Sequence, residues 1–198
     1  MNGIPRLKWL ALAAVFAAAL AVPAGATTLM RLGLEDLVKA HSKIVVGEVV
    51  DVHSYWNHDG TFILTDVRLS AQQVVKGRLE ENAEITVTLM GGEVGDLSTL
   101  IIGGAELVQG NSYVLFLNEQ NLPGARNALT VREHVQGAFD LKLDKDGLRA
   151  VSQAVHHPLL PDADKLVDPP GGREGLPLGT MIQSIRAISA RESRREVK

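Results

Sequence analysis

The chain has no cysteine, only two tryptophans and 4% aromatic residues in 198 positions. Without cysteine there is no disulfide scaffold, thiolate metal site, iron–sulfur centre or cysteine nucleophile. Positive charge is not in excess either. With 20 Lys+Arg against 23 Asp+Glu the formal net charge is −3, which argues against general nucleic-acid binding. No apolar run reaches the ~20 residues a membrane-spanning helix needs. HExxH, GxSxG, a phosphate-binding loop and GxGxxG are all missing, so no catalytic residue, metal site or cofactor is assigned. A non-enzyme is the expectation.

What is present begins with localisation. Arg6 and Lys8 precede an apolar run from Trp9 to Val22 that stops at Pro23, and Ala24-Gly-Ala26 follows. A basic start, a short apolar stretch and an A-x-A site describe a secretory signal peptide over residues 1–26, cleaved between Ala26 and Thr27. Removal of those residues leaves 172, with 18 Lys+Arg against 23 Asp+Glu and a formal charge of −5. The product is expected to be secreted or periplasmic, with no stable membrane insertion after cleavage. Its length suits one domain of roughly 100–200 residues.

Leu34, Leu37, Val38 and His41 recur at helical spacing, so a short amphipathic helix is expected over Gly33–Ser42. Ile44–Val52 is β-branched almost throughout and reads as a strand. Asn57-His-Asp-Gly60 is turn chemistry leading into Thr61–Ser70, where Ile63, Thr65, Val67 and Leu69 alternate with Leu64, Asp66, Arg68 and Ser70. That period of two predicts one buried and one mainly wet face. Glu84–Met90, with Ile85, Val87 and Leu89 inward, follows the break at Lys76-Gly77. Thr99–Ile102, Ser112–Leu117, Ala128–Arg132 and Ala138–Leu143 also read as short strands.

Strands at this spacing predict a mainly β domain over residues 27–155: an OB-like, partly closed antiparallel barrel with short N-terminal and C-terminal helices. Residues 156–179 hold five of the eight prolines and read as a Pro/Gly-rich loop or linker. Met181, Ile182, Ile185 and Ile188 then recur at helical spacing, with Thr180 and Gln183 fitting a capping box. A C-terminal helix over 180–198 is expected to cover an open end of the barrel, its charged end Arg191–Lys198 frayed.

Six segments together resemble a family: Ser42–Val52, Thr65–Leu69, Val74–Gly77, Ile85–Gly92, Val108–Leu117 and Gln136–Phe139. The family is one of secreted bacterial proteins of uncharacterised activity. Its domain is similar to the OB-like barrel of netrin modules and tissue inhibitors of metalloproteinases. The resemblance spans roughly residues 30–150 and implies the barrel and an extracytoplasmic location, without an activity. In the metalloproteinase inhibitors the mature chain begins Cys-Thr-Cys, and its first amino group and carbonyl chelate the target's zinc. Here the expected start is Thr27-Thr28-Leu29. Thr27 and Thr28 are therefore the candidate chelating terminus in an alternative reading as a metalloprotease inhibitor or regulator. Lacking a disulfide clamp, that terminus costs more entropy to order.

Candidate binding residues cluster in two loops. Tyr55, Trp56, His58 and Asp59, with His53 beside them, lie at the first hairpin. Imidazole and carboxylate could ligate a metal there, and the two rings could stack on a sugar or peptide. A polar hairpin tip with its rings against the barrel wall is the plainer reading. Glu93 and Asp96 sit in Gly91–Asp96, where acids would repel a phosphate and the glycines suit positive φ at bulges and corners. His156-His157 with Asp162 and Asp164 carries metal-ligand types, but among prolines it reads as surface loop. The favoured function is a non-catalytic binding module for an extracytoplasmic protein or envelope polymer. A small hydrolase with an unrecognised site is a second alternative.

Overall fold

The computed structural model describes residues 31–80, 82–132, 134–156 and 170–196. The expected signal peptide, Thr27 and Thr28, and His157, Asp162 and Asp164 lie outside the described residues.

Helix α1 (Leu34–Ala40) leads into β1 (Lys43–Trp56), β2 (Ile63–Lys76) and β3 (Glu84–Met90). A small hairpin of β4 (Gly92–Val94) and β5 (Leu97–Thr99) follows, then β6 (Ser112–Leu122) and β7 (Ala125–Val131). Next come β8 (Ala138–Asp144), β9 (Gly147–Ser152), β10 (Leu176–Pro177) and helix α2 (Leu178–Glu196). The main sheet runs β10-β9-β8-β6-β1-β2-β3, with β7 also paired to β6.

All these pairings are antiparallel, so β3 and β7 both run parallel to β1. They lie alongside each other without forming a ladder. The circuit β1-β2-β3-β7-β6 is the partly closed, OB-like barrel that the strand pattern predicts. Beyond it β8, β9 and β10 form a wing. The edge of β6 is shared: Tyr113–Leu115 pair with β8, and Leu117–Leu122 with β7.

The centre of the sheet is buried on both faces, which explains the near-continuous apolar runs at Ile44–Val46 and Tyr113–Leu117. Val45, Val49, Leu115 and Leu117 point into the barrel with Val67, Leu69 and Val87. Ile44, Val46, Val114 and Phe116 point the other way, onto Leu37 and Val38 of α1 and Met181, Ile185 and Ile188 of α2. Helix α2 thus lies against the outer face of β1 and β6. It does not cover the mouth of the barrel as expected, because the alternating residues of β1 and β6 offer it an apolar face. Met181 and Ile185 are fully buried, each contributing roughly 1.5–3 kcal/mol. Lys76 ties the helices together, donating to Val38 O at 2.6 Å and to Glu192 at 2.9 Å.

Other expectations need correction. Leu100–Ile102 are not in a strand; the pairing ends at Thr99, and the supposed Gly-rich loop contains β4. The wing strands β9 and β10 went unpredicted. Within the Pro/Gly-rich stretch, Gly172–Glu174 form a 3-10 turn and Leu176–Pro177 pair with Ala150 and Arg149. Helix α2 begins at Leu178, so Thr180 lies inside its first turn and is no N-cap. It also continues through Arg191 to Glu196.

Candidate functional site

One end of the barrel is organised by two short polar side chains. Asn57 follows β1 directly, and its Oδ1 accepts from the N–H groups of Thr61 and Phe62 at 2.9 and 3.1 Å, closing the β1–β2 turn. Its Nδ2 donates to Pro123 O at 3.4 Å, which links this turn to the β6–β7 turn. Asn57 is 5% exposed. Sequence reasoning treated it as turn chemistry only, and an Asx turn is the signal that pointed to more.

Thr65 of β2 is the second organiser. Its hydroxyl donates to Gly91 O at 2.7 Å, so the Ser54 hydroxyl, 2.8 Å away, is the donor to Thr65. Gly92 packs directly on both. A Cβ there would meet Thr65 Oγ1 and lie 2.5 Å from Ser54 Oγ, and its φ of +132° suits glycine alone. The β4–β5 hairpin is thereby seated on the β1–β2 hairpin, and the two predicted loops stand at the same end.

Within that end the predicted residues divide. Tyr55 and Trp56 are consecutive in β1, so their side chains take opposite faces and do not form a joint stacking platform. The ring beside Tyr55 is His53, two residues away, with centroids 6.1 Å apart and planes 14° off parallel. Tyr55 donates its hydroxyl to Asp66 at 3.2 Å, and Thr88 donates to the same carboxylate oxygen at 2.7 Å. Burial first, then the Asp66 charge and hydrogen bond, raise the Tyr55 phenol above its ordinary value. Tyr55 is therefore part of a polar row across β1, β2 and β3. The row continues through Asp51 and Arg68, whose guanidinium reaches Glu84 at 3.6 Å.

His58 and Asp59 stand in solvent at the tip, 3.3 Å from each other. Glu93 and Asp96 are exposed on the β4–β5 hairpin. Among the described residues no three His, Asp or Glu side chains converge to hold a metal ion.

The feature missed from sequence is apolar. At this end of the barrel the large side chains Trp56, Met90, Leu97 and Leu100 are 39%, 39%, 60% and 85% exposed, Trp56 and Met90 on opposite faces of the sheet. Beside them the seam between β3 and β7 opens into a cleft of about 280 Å³, lined by Leu89, Met90, Ile101, Leu122, Thr130 and Arg132 among others. A second groove, of about 770 Å³, runs between residues 100–108 and the wing. There the Gln153 side chain grips both backbone groups of Glu106, at 3.0 and 2.7 Å, and reaches Asp140 at 2.8 Å. Tyr113 accepts from Val108 N at 2.9 Å. These bonds hold the segment in place while Leu100, Ile102 and Val108 remain in solvent.

No protein-family model matches the chain and no curated protein matches it.

Proposed function

We propose that the protein is a secreted, non-catalytic binding module that recognises an extracytoplasmic protein through the hairpin end of its barrel. The observation that carries this reading is that Trp56, Met90, Leu97 and Leu100 are all exposed at the hairpin end, beside the junction of Ser54, Thr65 and Gly92. Large apolar side chains held in solvent at one end of a domain are the kind of anchor that dominates protein interfaces. Asp59, Glu93 and Asp96, exposed at the same end, favour a partner with basic groups at its rim. An envelope polymer is the other ligand class that an aromatic and polar surface of this kind suits, but an anionic one would be repelled by these acids.

Capture from an envelope extract of the protein's own host tests the reading. A Trp56→Ser/Leu97→Ser variant is expected to lose a partner that the wild-type protein retains. A Leu143→Ser/Leu148→Ser variant, altered at exposed leucines on the wing, should keep it. Equal retention by the first variant would refute the assignment of the hairpin end.

A further inference from the structure

Helix α2 carries its arginines on the solvent side, spread over about half of its circumference. Arg186, Arg191, Arg194 and Arg195 are all exposed, and the exposed residues among them are Ala187, Ala190 and Ser193. Glu192 is turned inward, paired with Lys76 at 2.9 Å. On the neighbouring α1, Glu35 faces Arg191 and Arg195 and is paired with Lys39 at 2.7 Å, while Asp36 is exposed in the same turn. The whole chain has a formal charge of −3, so with these four arginines set aside its other residues sum to −7. A concentrated positive face thus stands on an otherwise acidic protein.

The face has no large apolar or aromatic residue to act as an anchor, which a protein partner would require. It also lacks the apolar stripe of a helix that inserts between lipids. Small residues between the guanidinium groups leave it open to a broad array of anionic groups. Glu192 bonds to the last residue of β2, whereas Trp56 and Ile63 close the opposite end of the β1–β2 ladder. A flat surface touching α2 would therefore leave the hairpin end facing away from it.

We propose that the arginine face of α2 docks the protein on a bilayer surface rich in anionic phospholipid, through guanidinium–phosphate contacts. Each basic residue near such a surface changes partitioning by about fivefold, so Arg191, Arg194 and Arg195, which share one arc of the helix, account for roughly a hundredfold, with Arg186 at the edge of that arc. The attraction is screened by salt.

Co-sedimentation of the full chain with vesicles tests this, using equimolar phosphatidylglycerol and phosphatidylcholine against phosphatidylcholine alone. Binding is expected to the anionic vesicles, at least a hundredfold above the neutral ones, and to vanish in 0.5 M NaCl. The quadruple variant R186Q/R191Q/R194Q/R195Q is expected to lose that preference with an unchanged circular dichroism spectrum. The corresponding quadruple lysine variant should keep it. Because the apolar segment from Trp9 to Val22 is common to all these chains, the variant comparison isolates the helix. Equal binding to both vesicle types, an undiminished preference in the glutamine variant, loss of it in the lysine variant, or tighter binding to duplex DNA at equal phosphate concentration would each overturn the proposal.

Discussion

Replacing Gly92 by alanine perturbs the junction that seats one hairpin on the other. The new Cβ would be forced onto the Thr65 hydroxyl and would lie 2.5 Å from Ser54 Oγ, with φ at +132°. A non-glycine residue held in such a region costs about 1–3 kcal/mol, and overpacking adds typically about 1–3 kcal/mol. Together the loss is expected at about 3–5 kcal/mol, or roughly 10 °C in Tm for a domain of this size. Gly95 provides the control. Its φ is +62° and a Cβ there meets nothing within 4 Å, so Gly95→Ala should cost only about 1–2 kcal/mol. Urea and thermal unfolding followed by Trp56 fluorescence would report both, since Trp56 lies on the perturbed hairpin. Adding Ser54→Gly to the Gly92 variant should restore part of the loss by removing one of the two overlaps. If Gly92→Ala and Gly95→Ala were equally stable within about 0.5 kcal/mol, the packed junction would be refuted.

Three further outcomes follow from the same geometry. The raised Tyr55 phenol implies that the folded state keeps this proton after the unfolded chain has lost it. Stability is therefore complete below the ordinary tyrosine value of about 10 and falls as pH rises through the folded value; Tyr55→Phe should remove that share of the alkaline slope, and an unchanged slope would contradict it. Gln153→Ala removes the grip on Glu106 and should cost about 1–3 kcal/mol, with amide exchange accelerating across residues 100–108 and not in β1. Ile185→Ala, which opens the interface between α2 and the sheet, should lower stability by about 2–5 kcal/mol in urea denaturation; a loss under 1 kcal/mol would mean the helix is not docked there.

The barrel was legible because its strands carry strong alternation. Ile63, Thr65, Val67 and Leu69 are buried as the period of two requires. Leu64, assigned to the wetter face, is also fully buried. The wing was not legible: in Gly147–Ser152 only two residues are buried, so its pattern is weak. The position of α2 depended on which face of β1 and β6 needed cover, and that emerges only once both strands are seen to be apolar on both sides. The two candidate loops were found from turn chemistry, but their juxtaposition rests on Thr65 and Ser54. These are hydroxyl residues that look like ordinary strand positions. Tyr55 and Trp56 do not share a face because β1 extends through both, and consecutive strand residues point apart. Exposure of Leu97 and Leu100 could not be read from a sequence in which leucine usually signals core.

The central claim is that the hairpin end engages a partner, and site-specific photo-crosslinking in the host envelope tests it most directly. A photoreactive residue at Leu97 or Trp56 is expected to give one discrete crosslinked species. The same probe at Leu143, 82% exposed on the wing, should give none. Crosslinking from Leu143 equal to that from Leu97, or none from the hairpin end, would contradict the account.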